Sequence, residues 1–150
     1  MTLARLLASG LGTGLSPKAP GTAGSLAALL AGAGLLLMPA WVLPAAIVAV
    51  TLLGLWAIPR AGGAEDPGWV VIDEFAGQWI ALLPLARPSL PGLITAFVLF
   101  RVLDITKPGP VGWADRRHGA IGVMADDVIA GAIAALILWA AGWEVSGLWT

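Results

Sequence analysis

Long apolar runs separated by short polar breaks organise the chain, and the runs have helical rather than strand length. Thr22 to Met38, Trp41 to Ile58, Val70 to Ala86 and Leu90 to Asp104 are four of them. A fifth follows Gly119, with Asp126-Asp127 at its start and Trp143 near its end. Punctuation falls where helices should stop: LSPKAPGT at residues 15–22, Pro39, Pro59-Arg60 with AGGAEDPG at 61–68, Arg87-Pro88, and Lys107-Pro108. The pattern predicts an all-α, polytopic helical membrane protein of four to five hydrophobic helices. The runs lie at the low end of the ~17–25 residues a spanning helix needs, so the third and fourth either cross fully or insert shallowly. Small residues at helical spacing, Gly32 with Ala28 and Gly131 with Ala135, suit close helix packing.

Composition strengthens the membrane reading. Of 150 residues 59% are apolar and 11% charged, against roughly 25% charged in ordinary soluble domains. The mean hydropathy is +0.91. One domain is expected at this length. The N-terminus, MTLARLLASGLGTG, has a brief apolar stretch before glycines intervene, which predicts a short surface helix and no cleaved signal peptide. The net charge of −1 gives no reason to expect a nucleic-acid partner, and the absence of Cys excludes a disulfide scaffold, thiolate zinc and a cysteine nucleophile.

Alternating the helices across a bilayer brings most of the charge to one face. Arg5, Lys18, Arg60, Arg101, Lys107, Arg116 and Arg117 fall there, with only Arg87 opposite, and all acidic residues but Glu144 join them. The excess of Lys and Arg places that face in the cytoplasm. Trp41, Trp139, Trp143 and Trp149 then fit the far interface, and Trp56, Trp69 and Trp113 the near one.

The segment from Phe100 to Gly131 holds most of the ionisable chemistry, between uncharged flanks. Asp73-Glu74, Asp104 and Asp126-Asp127 place five carboxylates at the ends of three helices. Unpaired, they would repel one another; a divalent cation relieves this, and an all-oxygen set favours Mg²⁺ over zinc. The competing account is helix capping at 73–74 and 126–127, where acidic side chains in a first turn suit the macrodipole. Asp104 ends its helix and escapes that account, but Arg101, one turn back, offers a structural ion pair. SPKAPGTAGS, residues 16–25, puts Gly21, Thr22 and Ser25 at a helix start, where free amides hold anions. Lys107, Arg101, Arg116 and Arg117 add positive charge, although Arg117 reads more simply as a membrane anchor. His118 is the only histidine, either solvated or a general acid or base. Together these residues describe a metal-dependent site at the membrane surface for a lipid phosphate ester.

Three strings in order, SPKAPGTAGS, VIDEFAGQW (71–79) and FRVLDITKPGPVGWADRRHGAIGVMADDVIAG (100–131), resemble the phosphatidylglycerophosphatase A family. The likeness covers about residues 10–140. It implies Mg²⁺-dependent hydrolysis of the phosphomonoester of phosphatidylglycerophosphate at the bacterial inner membrane, giving phosphatidylglycerol and phosphate. By position, the family's acidic residues fall on Asp73, Glu74, Asp104, Asp126 and Asp127, and its basic strings on Arg101, Lys107, Asp115, Arg116 and His118. Lys18 lies where no family constraint is expected, and Ala120 stands where a second glycine often follows HG. The roles that follow are metal ligation by the five carboxylates; catalysis by Asp127, Asp126, Asp104, Lys107 and His118; and substrate binding by Arg101, Lys107, Asp115, Arg116, Gly21, Thr22 and Ser25. Water activated by Mg²⁺ is the expected nucleophile, ahead of a covalent His118 route, with Asp115 as an alternative base. The rival from another class is an ion-coupled carrier, which would place ionisable groups near mid-membrane.

Overall fold

The computed structural model describes the backbone of residues 1–144 and the side chains of residues 1–142. Among them there is no strand. The helices are α1 (Leu3–Ala8), α2 (Pro20–Leu35), α3 (Val42–Arg60), α4 (Ile72–Ala81), α5 (Leu90–Thr106), α6 (Pro110–Asp115) and α7 (Gly119–Glu144), with a 3₁₀ turn at Thr13–Leu15. The expectations for the side chains of Trp143, Glu144 and Trp149 lie outside the described residues.

Local chemistry sets the boundaries. Pro20 opens α2, where a missing N–H costs nothing. The Ser89 hydroxyl accepts the Gly92 amide at 3.3 Å and caps α5. Lys107 closes α5 in the left-handed region, at φ 47°, with its amide bonded to the Leu103 carbonyl at 2.9 Å; Pro108 then bars continuation. The loop expected after Pro108 instead contains α6, opened by Pro110 and separated by residues 116–118 from α7, whose first residue, Gly119, has φ 80°.

Of the four to five hydrophobic helices expected, two among the described residues, α3 and α7, are long and apolar enough to cross a membrane. α2 and α5 have 16 and 17 residues and fall short of that length. The run from Val70 to Ala86 yields only the ten-residue α4, about 15 Å long against a ~30 Å hydrocarbon layer. α4 is a central element, packed between α2, α3, α5 and α7. Its buried residues include Asp73, Glu74, Gly77 and Gln78, so its continuous apolarity reflects enclosure by other helices.

The α4–α7 contact is the most extensive in the fold, and two glycines permit it. A Cβ on Gly131 would lie 2.3 Å from the Gly77 carbonyl oxygen, and one on Gly77 would lie 2.6 Å from that of Asp127. The backbones therefore meet directly, one turn below Asp127. On the other side of α4, the Trp79 indole donates to the Ala28 carbonyl of α2 at 2.8 Å, beside Gly32. The core around Leu82, Phe100, Ala130 and Leu138 continues this packing, and a second cluster holds Ile58, Ile72 and Met124. Leu52, Leu53, Leu55 and Trp56 of α3 point outward, an apolar surface suited to lipid.

One end of the bundle gathers the polar segments, as the alternation of helices predicts. The Val71 amide bonds the Ala8 carbonyl at 2.9 Å, and the Gly119 amide bonds Ala64 at 3.2 Å. Arg5 stacks on Trp69 at 4.8 Å. The α2–α3 turn and the segment after α4 meet at the opposite end, around Leu36, Leu43 and Leu85.

Candidate active site

Each charged group owes its place to a helix end or a close approach. Asp73 and Glu74 occupy the first turn of α4, Arg101 and Asp104 the last two turns of α5, and Lys107 its cap. Asp126 and Asp127 lie two turns inside α7, which begins at Gly119, so first-turn capping does not account for them. All five carboxylates are buried.

Two overlapping trios result. Asp73, Asp126 and Asp127 each place a carboxylate oxygen within 4.8 Å of the others, and so do Glu74, Asp104 and Asp127. Asp127 belongs to both. Arg101 serves the second trio, with Nη1 donating to Glu74 Oε2 at 2.7 Å and to Asp104 Oδ2. The buried Ser25 hydroxyl donates to the same Glu74 oxygen. Gly21 makes room for this arrangement, since a Cβ there would lie 2.5 Å from Glu74 Oε1. Lys107 Nζ reaches Asp126 Oδ2 at 2.5 Å, Asp115 Oδ1 at 3.0 Å and Asp104 Oδ1 at 3.7 Å. Burial works against the Lys107 ammonium, but hydrogen bonds to Asp126 and Asp115 and the charges of Asp126 and Asp104 outweigh it and raise its pKa above the ordinary lysine value. Lys107 therefore stays charged at neutral pH.

The first trio is left short of positive charge. Asp73 Oδ1 and Asp127 Oδ2 are fully buried and have no hydrogen-bond partner. Buried carboxylate oxygens in that state are strongly disfavoured unless a cation joins them. An all-oxygen trio suits a hard divalent ion such as Mg²⁺, so the residues present fit one.

Above the trios lies a cavity of about 180 Å³, lined by all of the five carboxylates, Lys107, Asp66, Pro20, Gly21, Gly68 and Val70. The first turn of α2 thus opens onto the carboxylates, with its free amide groups. Several residues expected at the site sit around this cavity rather than in its lining. Ser25 lies beneath Glu74, and Thr22 is 3.5 Å from Arg101 Nη2. Asp115 bonds Lys107 from outside. Arg116 and His118 are exposed on clefts beyond the cavity. Asp66 had no forewarning: Asp-Pro-Gly reads as an ordinary turn, yet the residue adopts φ 53° and lines the cavity. The ionisable groups gather at one end of the bundle, unlike the mid-membrane path of a carrier.

Comparison with known proteins agrees with this picture. A family profile described as Phosphatidylglycerophosphatase A matches residues 6–142. Phosphatidylglycerophosphatase A of Escherichia coli K12 is 42% identical over 91% of this chain and 82% of its own length. The Haemophilus influenzae protein of the same name is 37% identical, over 90% and 86%. A putative phosphatidylinositol-3-phosphatase of Bacteroides thetaiotaomicron is 40% identical, over 93% and 94%. No solved structure matches the chain. With a family profile over nearly its whole length and relatives of this identity, the chain belongs to the phosphatidylglycerophosphatase A family and is a phosphatase.

Proposed function

We propose that the protein hydrolyses the terminal phosphomonoester of phosphatidylglycerophosphate, with Mg²⁺, at the cytoplasmic face of a bacterial inner membrane. The observation that carries the reading is the pair of unpartnered buried oxygens on Asp73 and Asp127, within a carboxylate trio whose cavity also holds Lys107 and the start of α2. The family's name and the outward apolar face of α3 support a membrane lipid as substrate.

Asp73, Asp126 and Asp127 would hold the ion, with Glu74 and Asp104 beside them; when bound, it supplies positive charge to the phosphoryl oxygens and lowers the pKa of water. Lys107 stands at the cavity wall with a persistent charge that offsets the oxygens of the phosphoryl group. The first turn of α2 offers amides to the same group. Arg101 fixes Glu74 and Asp104 in position. Asp115, on the outer side of Lys107 and outside the cavity, holds the ammonium in place, and the attacking water gives up its proton to solvent water. The new bond joins water oxygen to phosphorus, the bond from phosphorus to the glycerol oxygen breaks, and that oxygen takes a proton from solvent water and leaves as an alcohol. His118 has no step in this scheme.

The test is phosphate release from phosphatidylglycerophosphate by purified protein with Mg²⁺, with chelator, and with Asp127→Asn. Activity is expected with Mg²⁺ alone, and a fall of ~10²-fold or more in the variant. Undiminished release in chelator would sink the metal assignment.

A further inference from the structure

Beyond the carboxylate cavity, two connected clefts run outward between α6 and α7. The inner one, about 360 Å³, shares Asp66 and Asp126 with the cavity. The outer one shares Arg117 and His118 with the inner one and ends against Trp113, Ile121 and Ala125. Resting on the proposed lipid phosphatase activity, we infer that Arg117 recognises the phosphodiester of the substrate lipid and so selects substrates that carry one between the polyol and the diacylglycerol.

Charge along the clefts sets this order. The inner cleft is lined by carboxylates of Asp66 and Asp115, which accept hydroxyl groups but repel a second phosphate. A polyol fits there, next to the monoester. A phosphodiester belongs at the first unpaired cation beyond it. Arg101 is committed to carboxylates, and Lys107 stands at the cavity that takes the monoester. Arg117, by contrast, has no carboxylate within 4 Å among the described residues, and its guanidinium is held 4.3 Å from the Trp113 ring. Stacking fixes the group while leaving its N–H donors in the ring plane free for phosphate oxygens. Ile121 and Ala125, one turn apart on α7, then carry an apolar strip from Arg117 along the helix, a path for acyl chains. Both names borne by the relatives, phosphatidylglycerophosphatase and phosphatidylinositol-3-phosphatase, denote a head group with a monoester on a polyol and a diester to the lipid. Arg117 lines both clefts, whereas Arg116 lines only the outer one, so Arg117 is the cation positioned for the feature those substrates share.

Arg117→Gln and Arg117→Lys are compared with the unmodified chain in micelles of uncharged detergent, where attraction to an anionic membrane surface is absent. Phosphatidylglycerophosphate is the substrate, with phosphatidylglycerol and inorganic phosphate as competitive inhibitors. Arg117→Gln is expected to raise KM and the phosphatidylglycerol Ki by roughly tenfold, the loss of a charge-assisted bond, with kcat within about twofold. The inorganic phosphate Ki stays unchanged, and Arg117→Lys recovers part of the loss. A general structural defect would move the inorganic phosphate Ki as well and would overturn the assignment. So would KM and Ki values unchanged in micelles but altered in anionic vesicles, which would make Arg117 a surface anchor. An unmodified chain that releases no phosphate from phosphatidylglycerophosphate fails the activity itself, an outcome distinct from an active chain indifferent to Arg117.

Discussion

Asp73 and Asp127 present a conflict between stability and function. Each keeps a buried carboxylate oxygen without a partner, in a trio whose charge the protein only partly offsets. Replacing either by Asn removes a repulsive charge at nearly constant volume. Asp73→Asn is therefore expected to raise the melting temperature in chelator, by an amount worth about 1 kcal/mol, while lowering activity. Added Mg²⁺ should raise the melting temperature of the unmodified chain and much less that of Asp73→Asn, because binding to the folded state alone stabilises it. Asp115→Asn serves as contrast: that side chain is 38% exposed and lies outside the cavity, so the Mg²⁺ effect on melting should persist. Thermal melts with and without Mg²⁺ check both, and an equal Mg²⁺ shift in all three proteins would remove Asp73 from the ion's ligands. The acidic residues were legible in sequence because each interrupts apolar surroundings, where charge is costly. Arg117 was not, since a basic pair beside an apolar helix has the same composition whether it anchors the chain or binds a substrate.

Helix identity was less legible than residue chemistry, and α4 shows why. Hydropathy reports removal from water, and a short helix enclosed by its neighbours scores like one enclosed by lipid, so Val70 to Ala86 read as a span. α6 escaped notice for the opposite reason: Pro108, Gly109 and Pro110 carry loop signals, yet Pro110 starts a helix. The start of α7 at Gly119 likewise moved Asp126-Asp127 from a helix cap to its interior, which strengthens their functional reading. The α4–α7 contact is also where a residue without functional groups should control activity. Gly131→Ala places a methyl 2.3 Å from the Gly77 carbonyl, so the helices must part. The expected cost is about 1–3 kcal/mol, together with loss of activity as Asp73 separates from Asp127. Gly34→Ala in α2 meets nothing within 4 Å and should be neutral or slightly stabilising. Denaturation and activity measured together on the two variants decide whether backbone approach, rather than helix propensity, sets the geometry.

At the scale of the whole molecule, the polar end and its opposite differ in a way that predicts orientation. Arg5, Arg60, Arg101, Lys107, Arg116 and Arg117 belong to segments gathered at the carboxylate end, while Arg87 follows Ala86 at the other. By the positive-inside rule the expected orientation has the carboxylate end facing the cytoplasm, where the site would meet lipid head groups of the inner leaflet. α3 and α7, with an apolar outward face on α3, supply the length to cross, while α2, α4 and α5 complete the bundle around the site. The absence of cysteine makes the orientation directly measurable. Ala64 and Ala86 are exposed, one beside the inner cleft and one at the opposite end. Ala64→Cys should resist a membrane-impermeant thiol reagent in cells with permeabilised outer membranes and react in inverted inner-membrane vesicles. Ala86→Cys should show the reverse. Labelling of Ala64→Cys from outside would put the carboxylate site on the wrong face, and equal labelling of both positions from either side would mean that the bundle does not cross the bilayer.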